Sequence, residues 1–387
     1  MIKQYITQAL AQLRQQPVIS AVGIAGTALA IFLIMLVVMI QQVQVVSFAP
    51  ESNRDRFLHV KWMSINHKDW GEGSTSNGPM SVRTARECFQ SLKTPEAVTI
   101  YACMTVSTPV SLPGQPATGI DLLQTDDVFW QVFDFSFIGG KPYDKATFDA
   151  GRPVAVVTES VARHLFGTTE AIGKEFLLNH APYRVCAVVR DVSTLASSAY
   201  GQVWIPFTST DFEQDTWNDD HMGMASCTIL ARRRSDFPAI REEVERRRQE
   251  YNKVIGEEGY RLLYRNRPYD QEKNALMVGA NIEPDVEAAR RQRLIVFAIL
   301  LIVPAINLSS MTQSRLRQRV AEIGVRRAFG STRMEIMGQI VAENMVVTLL
   351  AGVLGLLLSV AFAYAADAML FAEGFRKMIN VPVIDAS

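Results

Sequence analysis

"VISAVGIAGTALAIFLIMLVVMI", residues Val18 to Ile40, contains no charged side chain. A helix of that length reaches roughly 34 Å, enough to cross a bilayer core of about 30 Å. Lys3 and Arg14 precede it, yet the apolar run exceeds the roughly 7 to 15 residues of a cleavable signal peptide, so it reads as a retained anchor. Leu294 to Thr312 and Asn344 to Ala366 are also free of charge, which gives this chain of 387 residues three expected membrane spans. The 48% hydrophobic fraction is concentrated in these runs.

The 39 basic and 39 acidic residues cancel, but they are not evenly placed. Lys3 and Arg14 flank the first span without an acid, and Arg315, Arg317, Arg319, Arg326, Arg327 and Arg333 crowd the link between the second and third. Between spans one and two the signs are mixed. By the positive-inside rule the amino terminus and the arginine link are cytoplasmic and the large middle region is outside. The run Arg232 to Arg234 lies in that outer region and leads into Glu242, Glu243 and Glu245, so it reads as a solvated mixed-charge face, and no nucleic-acid partner is expected.

"MIKQYITQALAQLRQQP" places Ile2, Tyr5, Ile6, Ala9, Leu10 and Leu13 on one helical face and reads as an amphipathic helix on the inner membrane surface. In the outer region "RFLHVKWM", "SVRTARECFQSL" and "AVTIYACM" read as strand, helix and strand. The order recurs in "ASCTILARR", "FPAIREEVERRRQEYNKV" and "YRLLYR", so the two units are expected to pack as one α/β layer. Between them "RPVAVVTESVARHLFG", "GKEFLLNHAPYRVCAVVRDV" and "QVWIPFT" predict a β-rich insertion, and "GEGSTSNGP" and "LPGQPATG" read as loops. Cys88, Cys103, Cys186 and Cys227 all fall outside the membrane and match no metal pattern; buried thiols are the expectation, with a Cys88 to Cys103 bridge left open.

The fold class is therefore an α+β membrane protein whose large extracytoplasmic α/β domain carries a β-rich insertion. The expected boundaries are a cytoplasmic amphipathic helix at 1–17, the first span at 18–40, the outer domain at 41–292, the second span at 293–312, a cytoplasmic elbow at 313–337, the third span at 338–366 and an outer tail at 367–387. Within the outer domain about 55–107 and 222–270 form the α/β halves and about 108–221 the insertion.

The arginine link has an internal grammar. Charges recur at helical spacing from Gln313 to Phe329, and Glu322 stands four positions before Arg326, the favoured order for an intrahelical pair. Gly330 is placed to end the helix in a left-handed cap, and Thr332 with Glu335 forms a T-x-x-E box that restarts it. Ala321, Ile323, Gly324, Val325, Ala328 and Phe329 add a compact apolar face suited to a protein surface, more than a loop resting on anionic lipid requires. In the spans Ala351, Gly355, Ser359 and Ala363 recur every four residues, and Gly23 and Thr27 do the same in the first, stripes that let helices approach closely. Pro304 is expected to kink the second span, with Asn307 able to satisfy the freed carbonyl. No ionisable side chain sits mid-span, which argues against an ion pathway there.

"RQRVAEIGVRRAFGSTRMEIMGQIVAENMVVTLLAGVLGLLLS" strongly resembles the FtsX-like permease signature. "GGKPYDKATFDAGRPVAVVTESVARHLFGTTEAIGKEFLLNHAPYRVCAVVRDV" resembles the insertion of the macrolide-exporter (MacB-type) periplasmic core domain, and "VGIAGTALAIF" is similar to that family's first span. The resemblance implies an ABC transporter permease subunit in a bacterial inner membrane, pairing with a second permease copy or a paralogue and docking on a cytoplasmic ATPase dimer; a periplasmic adaptor is compatible. Arg319, Glu322, Gly324, Arg326, Arg327 and Gly330 then inherit the coupling role. ATP and Mg are expected in the partner ATPase and no cofactor in this chain, which lacks a G-x-x-x-x-G-K-[ST] loop. The family has four spans, and no fourth apolar run follows Ala366, so the expectation is a truncated sequence or an absent last span.

Two other readings stand beside it. An anchored extracellular enzyme is disfavoured, because neither H-E-x-x-H nor G-x-S-x-G occurs and His59, His67, His164, His180 and His221 lack metal-ligand spacing. "NDDH" at Asn218 to His221 reads as a solvated loop rather than a cation site. A non-transporting subunit that moves an extracellular hydrolase or sensor fits the same resemblance.

Overall fold

A computed structural model describes residues 17–371. The amphipathic helix expected before Pro17 and the tail after Phe371 lie outside them, as does the side chain of Asn307. The principal helices are α1 (Pro17–Val43), α2 (Glu159–Phe166), α3 (Phe237–Glu257), α4 (Val286–Gln318), α5 (Val320–Ala328) and α6 (Arg333–Phe371). The chain divides into two compact units, one holding the helices up to Gln42 and from Glu287 onward, the other Val43–Val286.

In the helical unit α1, α4 and α6 are each long and apolar enough to cross a membrane. Pro304 lies inside α4 and does not end it. Along α1 and α6 the small residues face inward: Thr27, Ala28, Ala351 and Ser359 are at most 3% exposed. A Cβ on Gly355 would stand 2.8 Å from the Ala28 carbonyl oxygen and 2.9 Å from Ile31 Cβ, so only glycine permits this approach. Phe32 and Phe362 meet edge to face at 5.6 Å beside it.

The other unit is built from β-strands. Its main members are β1 (Phe57–Val60), β2 (Met63–His67), β3 (Ala97–Ala102), β4 (Val106–Ser111), β5 (Thr118–Thr125), β6 (Val154–Thr158), β7 (Glu175–Leu178), β8 (Ala181–Val189), β9 (Val203–Pro206), β10 (Ala225–Leu230) and β11 (Tyr260–Leu263). Strands β4 and β5 pair antiparallel, and β5 pairs parallel with β9. From β9 the pairing runs through β6, β8 and β7 and returns to β4, which closes a barrel. Successive side chains of a strand point to opposite faces, and here both faces are apolar. Leu122, Val157, Val203 and Ile205 join one core cluster. Their neighbours Leu123, Val156 and Trp204 join a second with Phe129, Phe133 and Phe135. The turn between β7 and β8 uses Asn179 and His180 at φ 47° and 67°, the left-handed pair that a two-residue hairpin requires. Strand β4 lies across the 107/108 boundary read from the sequence.

Outside the barrel, β3, β10 and β1 form an antiparallel sheet joined to the barrel where Tyr101 pairs with Thr125. Helix α3 buries Phe237, Ile240, Val244 and Ile255 in the core that also holds Phe89 and Cys227. The single α/β layer expected from the sequence is corrected in one respect. "RFLHVKWM" divides into β1 and β2, and β2 pairs with β11 and with Ser76–Gly78 in a separate sheet. The break falls at Lys61, whose carbonyl accepts from Ser226 Oγ at 2.9 Å, and the segment read as a loop supplies the third strand. All four cysteines are free thiols, so Cys88 and Cys103 form no bridge.

Two charges are enclosed where the chain enters this domain. Glu51 and Arg54 are 0% and 1% exposed, and Arg54 Nε donates to Glu51 Oε2 at 2.6 Å. The guanidinium also donates to the carbonyls of Val43, Val46 and Leu195, while Glu51 Oε1 accepts from the amides of Ser198 and Ala199. Removing one member of such a pair strands the other, at a cost of about 3–5 kcal/mol. Arg54→Ala is therefore expected to lower the unfolding free energy of the full chain by that amount in a denaturant titration followed by tryptophan fluorescence; a loss under about 1 kcal/mol would contradict this reading. In the helical unit, Gly355→Ile is expected to lower the melting temperature in detergent. Gly352→Ile is expected to leave it nearly unchanged, since a Cβ there meets only Ile31 Cδ1, at 3.9 Å.

Candidate coupling elbow

Helix α4 stops at Gln318 because Arg319 leaves the helical region, at φ −108° and ψ 13°. The continuous helix read from Gln313 to Phe329 is thus two, with the break at the residue whose side chain is most engaged. Helix α5 ends on Gly330 at φ 96°. The Gly330 amide donates to Arg327 O and the Ser331 amide to Arg326 O, both at 3.1 Å, the paired bonds of a left-handed glycine cap. Helix α6 then opens on a reciprocal box: Glu335 N donates to Thr332 Oγ1 at 3.3 Å and Thr332 N to Glu335 Oε2 at 2.9 Å.

Five side chains close a ring across this elbow. Arg319 donates to Glu322 from Nε at 2.9 Å and from Nη2 at 3.2 Å, and its Nη1 reaches Glu343 Oε2 at 3.1 Å. Glu343 Oε1 accepts from Gln339 Nε2 at 2.9 Å, and Gln339 Oε1 accepts from Arg326 Nη1 at 2.7 Å. Arg326 Nη2 returns to Glu322 Oε1 at 2.7 Å. The hydrogen bonds from Arg319 lead the causes that hold the Glu322 carboxyl below the usual range and raise Arg319 above its own. Thr312 Oγ1 adds a bond from α4 to Asn344 Oδ1 at 3.2 Å.

The residues singled out from the sequence therefore separate into two groups. Arg319, Glu322 and Arg326 are in the ring and Gly330 caps the helix, whereas Gly324 and Arg327 face outward. Gln339 and Glu343 were missed. Their i,i+4 spacing was the available signal, but both fall within 338–366, read as the third span, with Glu343 one residue before its charge-free run. With Arg319, Glu322 and Arg326 engaged in the ring, the elbow presents Val320, Val325 and Phe329 at 63%, 57% and 89% exposure, beside the outward-facing Arg327.

Elsewhere, no group of three His, Cys, Asp or Glu side chains suited to a metal is found among the described residues. His59 is buried between Thr228 Oγ1 and Gln271 Oε1, and burial pulls its pKa down to about 4. The solvated-loop reading of "NDDH" is corrected at its last residue: His221 is fully buried, bonded to Tyr251 Oη and Glu258 Oε2 at 3.0 Å each.

Bilayer-length helices bracketing a β-rich domain, with a capped and charge-locked elbow before the last, define a membrane protein with a large extracytoplasmic domain. Residues 18–247 match the MacB-like periplasmic core domain and residues 294–387 the FtsX-like permease C-terminal region, and the chain belongs to this family. It is similar to the uncharacterized ABC transporter permease YknZ of Bacillus subtilis, 23% identical over 67% of this chain and 60% of that protein. Similar too are the pyoverdine export ATP-binding/permease protein PvdT of Pseudomonas aeruginosa, 23% identical over 60% of this chain and 33% of that one, and the macrolide export ATP-binding/permease protein MacB of Burkholderia cenocepacia, 24% identical over 67% and 35%. The chain thus spans 60% of the first of these relatives and about a third of the other two. Among solved structures, the periplasmic region of MacB from Actinobacillus actinomycetemcomitans aligns with a TM-score of 0.36 at 16% identity, covering 53% of this chain and 89% of that one.

The ring has a pH signature. A carboxyl whose folded pKa is depressed stabilises the fold above its unfolded value, about 4.3 for Glu, and that contribution is lost as pH falls through the folded value. Hydrogen-exchange protection of Val320–Ala328 is expected to hold from neutral pH to about 4.3 and to fall below it. In Glu322→Gln, protection starts lower and this acid transition shrinks; an unchanged transition would remove Glu322 as its source.

Proposed function

We propose that this chain is the membrane subunit of an ABC-type transporter, moving its extracytoplasmic domain in response to ATP hydrolysis by a separate cytoplasmic ATPase. The observation that carries the reading is the elbow: a ring of five side chains fixes its shape, and Phe329 at its tip is 89% exposed. A lever must be stiff within itself and apolar where it is seated, and these residues meet both demands. Arg319, Glu322, Gln339, Arg326 and Glu343 act in this reading as positioning residues, and Val320, Val325 and Phe329 as the seat. ATP and Mg belong to the partner, which acts as a dimer beneath two permease copies. Export of a drug, peptide or lipoprotein is the transport reading that follows, and the names of the macrolide and pyoverdine exporters support it.

The test is co-purification of the tagged chain with its ATPase and measurement of the ATPase turnover that the chain stimulates. Phe329→Asp is expected to abolish both. Glu322→Lys with Arg326→Glu sets Arg319 against a lysine and is expected to weaken both by at least about tenfold, the loss of one charge-assisted contact. Unchanged binding and turnover in both variants would dismiss the coupling role. Stimulated turnover without any movement of substrate by the reconstituted complex would favour a signalling subunit over an exporter.

A further inference from the structure

The extracytoplasmic domain holds a concentration of positive charge that its own acids do not neutralise. Arg248, Arg261, Arg265 and Arg267 line one cavity of about 450 Å³ between α3 and the turn that follows β11. The carboxylate in the lining, Glu245, is already held by Arg248 through both Nε, at 2.7 Å, and Nη2. Arg267 is 4% exposed. Its Nη atoms donate to the carbonyls of Tyr264, Gly279 and Ala280, but its Nε is buried and has no hydrogen-bond partner. Among the described residues it forms no ion pair. Glu283, whose field reaches it, is occupied by Lys273 and by Asn266 Nδ2.

Buried charges are ordinarily paired, because an uncompensated one forfeits its hydration. Bracing three carbonyls explains the two terminal nitrogens of Arg267, and the Tyr269 ring, its centroid 4.8 Å from the guanidinium carbon, covers one face. This leaves Nε unexplained, and with it the convergence of Arg261 and Arg265 on the same cavity. Arg265 Nε is only lightly engaged, by Ser64 Oγ at 3.2 Å. Guanidinium forks match the geometry of phosphate oxygens, and a volume of this size takes a small ligand rather than a side chain. The apolar part of the lining is confined to Leu263 and Tyr264, which disfavours an oily occupant.

We propose that this cavity binds a phosphate-bearing anion, either a free phosphoanion or the headgroup of an acidic phospholipid, held by Arg261 and Arg265 and favoured by the buried charge of Arg267 behind them. The site is independent of how the elbow works, and its test does not involve the ATPase.

The full chain in detergent is titrated calorimetrically with sodium pyrophosphate at physiological salt, and in a second arm it is placed in phosphatidylcholine nanodiscs with or without phosphatidic acid and melted. Saturable pyrophosphate binding identifies the free source, and a melting temperature raised only by phosphatidic acid identifies the lipid. Arg261→Gln together with Arg265→Gln, which spares the buried Arg267, is expected to weaken whichever response is seen by at least about tenfold in affinity or to abolish the melting shift. Arg261→Gln alone, at an exposed position, is expected to give a smaller loss in the same direction. Arg232→Gln with Arg233→Gln, on an exposed basic run, is expected to change nothing. No response to either probe, or an equal loss in that control, overturns the proposal.

Discussion

A charge withdrawn from water must be answered, and three answers organise this protein. Glu343 is 7% exposed on a helix otherwise fit for lipid, and Arg319 answers it. Arg319 reaches that carboxylate and Glu322 together from a residue outside helical backbone geometry, at the point where α4 gives way to α5. The same logic operates at the entrance to the β-rich domain, where Arg54 answers Glu51 and in doing so gathers the last carbonyl of α1 and the loop at Leu195. Asp126 takes another way out. It is 1% exposed, and burial pushes its carboxyl up to about 7 although Thr99 and the amides of Ile100 and Phe129 donate to it. Among the described residues Arg267 has no acidic partner, which sets its surroundings apart from these three.

These arrangements divide labour between short and long range. Gly330, Thr332 and Glu335 set the chain direction around the elbow within a few residues, by cap geometry alone. The Arg319 to Glu343 and Arg326 to Gln339 contacts then lock that direction against α6. The locked elbow leaves Phe329 exposed at its tip.

What the sequence made legible is what local rules govern. The three spans followed from runs without charge, and the caps at Gly330 and Thr332 from residue type and spacing. The turn between β7 and β8 and the entry into α2 are equally local, set by Asn179 and His180 and by the Thr158 cap. Pairings between distant strands were not. Nothing in "QVWIPFT" says that Val203 will lie beside Leu122, so an insertion could be foreseen but its closure could not. The division of β1 from β2 was hidden because the apolar pattern runs through both, and it is Ser226, far along the chain, that holds Lys61 at the break. At the elbow, Glu322 with Arg326 was a local pair and was found, whereas Glu343 acts across helices and was passed over at the margin of a span.

Closure of the barrel carries a consequence for the environment in which it stands. An open sheet ends in a row of unpaired amides and carbonyls that can recruit a foreign strand. From β4 round to β7 each member has a partner on either side, so the barrel wall itself offers no row of unpaired groups, and the edge left beside it among the described residues is the short strand Phe137–Gly140, paired with β8 alone. A closed wall of this kind lowers the hazard of edge-to-edge association with other chains.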